Sequence, residues 1–199
     1  MKYASYLLEN HLLKSYKYIA GIDEVGRGPL AGPLVVAITL FDQVHTPIAG
    51  IADSKKLSFS RRLALAKQIR NSVVDYRYAI ISNQTIDQIG IYDSLYHGIL
   101  NCYYQLSILP NIVLLDGKIK YKLPFRNIQR NKGDLFHYSI ACSSIIAKDL
   151  RDQMMINYSK IYPDYGFETN MGYGTALHIK SIKKNGTIDL HRLYFCRNL

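Results

Sequence analysis

Acidic residues are scarce in this chain of 199: 15 Asp and Glu stand against 25 Lys and Arg, a formal net charge of +10. That balance favours polyanionic partners, either nucleic acid or an acidic membrane surface. A composition rich in Lys, Ile, Tyr and Asn, as an AT-rich genome produces, accounts for the same surplus without a partner. Cysteine is sparse too. Cys102, Cys142 and Cys196 show no Cys-x-x-Cys or Cys/His ligand spacing, which excludes a disulfide frame or zinc site and points to a reducing compartment. Cys142, among small residues, reads as a packing cysteine. No apolar run reaches the length of a membrane span, and Glu9, Asn10, His11 and Lys14 interrupt what could pass for a signal peptide. The expectation is a cytoplasmic protein with no membrane contact. Internal repeats and low-complexity linkers are missing as well. A chain of this length, 48% hydrophobic, fills one core, so residues 1–199 are expected to form a single domain.

The patterning present is that of alternating strands and helices. The first fifteen or so residues are amphipathic and predict a short helix. "YKYIAGID" and "LVVAITLF" read as strands joined by a tight glycine- and proline-rich connection, hence as a hairpin. "LSFSRRLALAKQIRNSVVD" places Leu65, Ile69 and Val73 at helical spacing, with Ser58 or Ser60 as N-cap. "YRYAIIS" is a third strand. "NQTIDQIGIYDSLYHGILNCYYQLS" is a helix or a broken pair, weakened at Gly90 and Gly98. "NIVLLDG" is a short apolar strand, and a last strand enters near "PFRNIQRNKGD". In the next segment, through "SKIY", Ile146, Leu150 and Met154 share a helical face, and Ala141, Cys142, Ser143, Ser144 and Ala147 permit close approach to a sheet. A helix over 175–184 closes a turn-rich tail. The pattern predicts an α/β domain around a mixed sheet.

Two candidate sites compete in "AGIDEVGRGPLAGPLVVAITL". The glycines loosely resemble a dinucleotide fingerprint, but that motif needs a helix opening directly after them. Pro29, Pro33 and the β-branched run that follows deny it. The acids are the better clue. Asp23 and Glu24 follow a buried approach, Asp116 ends the apolar strand "IVLLD", and Asp134 stands where a helix enters. Singly, each has a plain reading as a solvated pair, a turn residue or a cap. Together they describe carboxylates gathered at strand ends, which repel one another unless divalent cations intervene. Oxygen ligands suit Mg2+ or Mn2+, and two such ions about 3.5–4 Å apart serve phosphodiester cleavage.

The blocks "AGIDEVGRGPLAGPLVVA", "DSKKLS", "LLDG", "KGD…SIACSSIIAKDLRD" and "YPDYGF…GYGTALH", in this order, resemble bacterial ribonuclease HII, of the ribonuclease H type 2 family. The resemblance runs from about Tyr18 to Phe195. It implies a ribonuclease H-like fold, α/β, with a central mixed sheet flanked by helices and a helical, substrate-contacting C-terminal segment over 160–199. It implies an endoribonuclease that hydrolyses the RNA strand of RNA–DNA hybrids. The same enzyme would cut 5′ to ribonucleotides embedded in duplex DNA, as in ribonucleotide excision repair, and leave 3′-hydroxyl and 5′-phosphate ends.

By the same resemblance Asp23, Glu24, Asp116 and Asp134 are the catalytic, metal-binding set for Mn2+ or Mg2+. Glu24 joins it if a bulge, made plausible by the following glycines, turns it inward. The backbone of Gly26-Arg27-Gly28 would contact a ribose 2′-hydroxyl, the group that separates RNA from DNA. Tyr173 would pack on the neighbouring sugar, and Lys55 and Lys56 would contact phosphates. The partners implied are RNA–DNA hybrid and ribonucleotide-containing duplex, with the protein a monomer. Three departures stand out: Asn170-Met171 where the family commonly has a basic residue, "ACSSI" for a run richer in alanine, and "HRLYF" for His-Arg-x-Ser-Phe. The first bears on a phosphate contact; the others bear on packing. His178 and His191 fall in family motifs and are expected to be structural. A duplex-binding module with a degraded site is the alternative from another class, separable by a nuclease assay with Mn2+. A nucleotide-binding oxidoreductase would instead bind nicotinamide.

Overall fold

A computed structural model describes residues 3–199. Its centre is a five-stranded sheet in the order β3-β2-β1-β4-β5. The strands are β1 (Tyr18–Val25), β2 (Leu34–Asp42), β3 (Asp75–Ile81), β4 (Ile112–Asp116) and β5 (Asn127–Arg130). β1 and β2 form the expected antiparallel hairpin and β3 continues it. β4 and β5 add in parallel on the other side, so the sheet is mixed.

Helix α1 spans only Leu7–Leu13. The expected amphipathic helix over the first fifteen residues is thus shorter, because Tyr3 and Ser5 are spent in isolated bridges to Ala52 and His137; residues 1 and 2 of that prediction lie outside the described residues. Helix α2 (Phe59–Ser72) is capped by Ser58, which accepts from the Arg61 N–H, and Val73 already leaves it in extended geometry. The predicted broken pair is α3 (Asn83–Ile89) and α4 (Ile91–Gln105), divided at Gly90, whose φ of 81° favours glycine. Gly98 does not break α4. It lets the helix seat on the sheet, since a Cβ there would come within 2.8 Å of Ile81 and Val36 side chains.

After β5, the four-residue α5 (Gly133–Phe136) leads into the long α6 (Tyr138–Ile161). A 3-10 turn (Pro163–Tyr165), α7 (Phe167–Asn170), α8 (Ala176–Asn185) and α9 (Leu193–Cys196) complete the tail. Strand alternation divides the core in two. Ile19, Val35, Ala37 and Phe41 pack with Ala141, Ile145 and Ile146 of α6 and with Leu65 and Ile69 of α2. Ile22, Val36, Ile38 and Leu115 pack with Leu95 and Ile99 of α4. A smaller cluster, Ala31, Met155, Tyr165, Phe167 and Ile182, roots the tail.

The seat of α6 on β1 is unusually close. A Cβ at Gly21 would lie 2.2 Å from the Ser139 carbonyl carbon. Ser143 donates its hydroxyl to the Gly21 carbonyl at 2.8 Å and meets Thr39 Oγ1 at 2.8 Å. Glu9 of α1 is fully buried, and its Oε1 accepts from both the N–H and the hydroxyl of Ser139, each at 2.8 Å. Glu9, singled out in the sequence only as an interruption of an apolar start, therefore caps the first turn of α6 from outside.

Candidate active site

Register brings the first two acids together. Ile22 of β1 pairs with Leu115 of β4, so the next residue on each parallel strand, Asp23 and Asp116, lies beside the other and projects to the α6 face. Asp134 is carried by α5. Asp116 Oδ1 accepts from the N–H of Gly133 at 2.6 Å and of Gly117 at 2.9 Å, which fixes the turn that carries Asp134. That turn needs Lys132 in left-handed geometry (φ 57°). Gly133 packs tightly there, since a Cβ would fall 2.5 Å from Ile140 Cδ1 and force that side chain to shift. Carboxylate oxygens of Asp23, Asp116 and Asp134 then all lie within 4.8 Å of one another.

Glu24 is placed differently. The β1–β2 register runs without interruption through Asp23↔Ala37 and Glu24↔Val36, so no bulge turns Glu24 inward, contrary to the sequence expectation. Strict alternation sends it to the other face. Its Oε1 instead meets Arg27 Nη1 at 3.3 Å, three residues on. Glu24 still reaches the site from the strand end: it lines the same pocket of about 180 Å³ as Asp23, Asp116, Gly26, Arg27, Gly28, Lys55 and Tyr173. Lys56, exposed, is not among the lining residues.

Burial is the first cause of each pKa shift in this set. It pushes Asp23 well above the usual carboxylate range, reinforced by Glu24 and Asp116 and opposed by a hydrogen bond from Ser144. Burial and Asp116 raise Asp134, against the pull of Lys55. Glu24 rises to about 7 through burial, moderated by Arg27. Buried, mutually repelling hard oxygens short of cationic partners are the donor set that a small divalent cation satisfies. The residues fit such an ion.

The rest of the site belongs to two loops. Residues 26–33 join β1 to β2, and Leu30 and Ala31 donate to the Gly172 carbonyl at 2.8 and 3.2 Å, tying this loop to the one that carries Tyr173. Tyr173 is 39% exposed, so its ring is available to a ligand. Its backbone is fixed by an N–H donated to the Asn170 carbonyl and by His178 Nδ1 against its own carbonyl, both 2.9 Å. Asn170 is itself buried; its side chain accepts from the Gly172 N–H and donates to the Tyr165 carbonyl. It shapes the turn and does not face outward.

The buried histidines form a chain with assignable protons. The Ile188 N–H donates to His191 Nδ1 at 2.9 Å, which leaves the proton on Nε2 to donate to His178 Nε2 at 3.2 Å. His178 then carries its own proton on Nδ1 for Tyr173. The expected structural role of both is what the geometry gives.

Several site residues were not singled out as such from the sequence. Ser144, read there only as a small packing residue, hydrogen-bonds Asp23 and meets Ser54 Oγ at 2.9 Å. Asp53 lies close enough to raise Asp134 and orders the "DSKKL" turn by accepting from the Lys55 N–H at 3.0 Å. Arg151 and Arg192, both fully buried, were passed over.

A family model described as Ribonuclease HII matches residues 20–198. The chain belongs to the ribonuclease HII family. Ribonuclease HII of Caldicellulosiruptor saccharolyticus is 41% identical over 97% of this chain and 94% of its own length. Among solved structures, the ribonuclease H2 of Pyrococcus horikoshii OT3 superposes with a TM-score of 0.76 at 23% identity, over 91% of this chain and 96% of that one. Bst-RNase HIII in complex with Mn2+ gives 0.70 at 19% identity, over 90% and 68%. The fold is ribonuclease H-like, and ribonuclease HII membership makes this chain a ribonuclease H hydrolase.

Proposed function

We propose that the chain hydrolyses the RNA strand of RNA–DNA hybrids and cuts 5′ to single ribonucleotides embedded in duplex DNA, with Mn2+ or Mg2+ and 3′-hydroxyl and 5′-phosphate products. The observation that carries this reading is the three-carboxylate cluster, two of whose members, Asp23 and Asp116, line the same pocket as Gly26-Arg27-Gly28 and Tyr173, in a ribonuclease HII chain. Asp23, Asp116 and Asp134 would hold the metal, with Glu24 contributing from the strand end. Divalent cations held there would supply an activated water and charge stabilisation for the departing 3′-oxygen.

The chain's own groups do the selecting. Arg27 and Gly28 are exposed; their backbone would approach the ribose 2′-hydroxyl, and Gly28 has no side chain to stand in the way. The Tyr173 ring packs on the adjacent sugar with its hydroxyl toward the polar edge. Lys55 meets a backbone phosphate and screens Asp134. The segment 160–199 supplies Tyr173 and a flanking contact for the duplex. Lys56 is the weaker of the two lysine assignments, as it stands outside the pocket. The test is cleavage of a duplex containing one ribonucleotide, mapped at nucleotide resolution, with Mg2+, with Mn2+ and with chelator. A cut anywhere but immediately 5′ of the ribonucleotide, or cleavage in chelator, overturns the reading.

A further inference from the structure

Two guanidinium groups are buried behind the 26–33 loop, and both spend their donors on its backbone. Arg192 Nη2 donates to the carbonyls of Gly26 at 2.6 Å and Gly32 at 2.8 Å. Its Nη1 donates to Arg27 at 3.0 Å and its Nε to Gly32 at 3.0 Å. Arg151 donates to the carbonyls of Pro33 at 2.9 Å, Ala31 at 3.2 Å and, across the junction, Met171 at 2.9 Å. Neither has a carboxylate within ion-pair distance among the described residues, and both are 0% exposed.

A buried charge without a counter-charge is expensive. Filling space would not require it, since an apolar side chain of similar volume packs without that cost. What the guanidinium does that an apolar chain cannot is dictate which way peptide groups point. In a trans peptide the carbonyl of one residue and the N–H of the next are antiparallel. Turning the Gly26 and Arg27 carbonyls inward to Arg192 therefore turns the N–H groups of Arg27 and Gly28 away from it. Both residues are exposed and both line the acidic pocket. Among the described residues neither N–H has an acceptor. The third carbonyl held by Arg192, that of Gly32, precedes Pro33, which has no N–H to aim. Two adjacent outward amides make a small concave donor site suited to a hydroxyl or an anionic oxygen.

We infer that Arg192, seconded by Arg151, is a positioning residue for ribonucleotide selection, holding the Gly26 and Arg27 carbonyls inward so that the Arg27 and Gly28 amides face the substrate oxygen. This rests on the reading that the loop contacts a ribose 2′-hydroxyl. The two can fail separately, because the structure offers a variant that tests the reading alone. A Cβ at Gly28 meets nothing within 4 Å, so Gly28→Ala leaves the free protein undisturbed and obstructs only what approaches the loop.

The experiment compares wild type, Arg192→Lys and Gly28→Ala. It measures single-turnover cleavage of a one-ribonucleotide duplex at saturating enzyme, affinity for the matched all-DNA duplex, and thermal melting. Lysine keeps the charge but loses the planar fork that spans three carbonyls. Arg192→Lys is expected to slow cleavage about a hundredfold through misplacement of the loop, with all-DNA affinity within about twofold of wild type. Slow cleavage in Gly28→Ala with wild-type rates in Arg192→Lys overturns the positioning inference alone. Wild-type rates in Gly28→Ala overturn the loop reading. A loss in Arg192→Lys shared equally by all-DNA affinity marks a structural role and also overturns the inference. Should Arg192→Lys fail to fold, amide exchange in wild type answers the question. Arg27 and Gly28 amides should exchange freely in the free protein and slow on adding the one-ribonucleotide duplex in chelator, but not the all-DNA duplex. Protection already present without duplex overturns the inference.

Discussion

Asp23 and Asp116 stand next to each other on parallel strands, with Asp116 also holding the turn that presents Asp134. On the proposed reading, removing either charge would remove a cation ligand and relieve repulsion at once. Asp23→Asn and Asp116→Asn are each expected to lower turnover by at least about a thousandfold, roughly 4 kcal/mol of transition-state stabilisation. Asp23→Asn should melt no lower than wild type in chelator. Steady-state rates at saturating Mg2+, beside melting curves with and without metal, check both. Asp134→Asn should retain more activity, since Asp134, unlike Asp23 and Asp116, does not line the pocket. Tyr173 makes a different case, because its backbone is held by His178 and Asn170 whatever its side chain. Tyr173→Ala should lose about a hundredfold in single-turnover cleavage at an isolated ribonucleotide, with Tyr173→Phe between the two and duplex affinity largely kept. A loss explained wholly by weaker binding would contradict the sugar-packing role.

At the scale of elements, the interface between β1 and α6 sets the site's precision. α6 brings Ser144 to Asp23, and it can do so because Gly21, Ser139 and Ser143 let backbone meet backbone. Gly21→Ala would drive a methyl group into main-chain atoms that cannot rotate aside, 2.2 to 2.6 Å from the new Cβ. Destabilisation of about 3 kcal/mol is expected, read by urea denaturation, together with weaker metal binding as Ser144 shifts.

The elements also show what the sequence could and could not reveal. Strands, the hairpin, the helix break at Gly90 and the acids at strand ends were legible because hydrophobic period and turn residues are local signals. Glu9 was not, since its partner Ser139 lies 130 positions away and nothing near Glu9 reports its burial. Arg151 and Arg192 were hidden for the same reason: their partners are carbonyls, which every residue possesses. The bulge expected at Glu24 did not form because β1 keeps register with β2 to its last residue, Val25↔Val35, and the glycines bend the chain only afterwards.

For the molecule as a whole, charge and protonation set the working range. Burial, then the neighbouring His178, lower His191 from 6.5 to about 4, with the Tyr165 and Phe167 rings packed against the pair. A depressed folded-state pKa means the unfolded chain takes up the proton first as pH falls. The contribution to stability is complete above about pH 6.5 and is lost progressively toward pH 4, about 3 kcal/mol in all. The difference in unfolding free energy between wild type and His191→Asn, followed from pH 7.5 to 4, should shrink by that amount. A difference independent of pH would show that His191 is not buried neutral. Net charge governs encounter in turn. With +10 on the chain, duplex affinity should fall steeply with salt, by a slope of about 0.9 per phosphate neutralised. Lys55→Ala should reduce that slope by about one and weaken hybrid and all-DNA duplex alike.

The hold of Arg192 on Gly26 spans 166 positions of chain, and that span has a consequence in time. At ribosomal speeds of about 5–20 residues per second, roughly ten to thirty seconds separate synthesis of the two. The three carboxylates are all made within the first 134 residues, well before the arginine that aims the neighbouring loop. Arg151 is made next and can hold Ala31 and Pro33, whereas the hold on Gly26 and Arg27 comes almost last. Chains that stop before residue 192 would lack that hold and, on the inference above, the aim of the Arg27 and Gly28 amides.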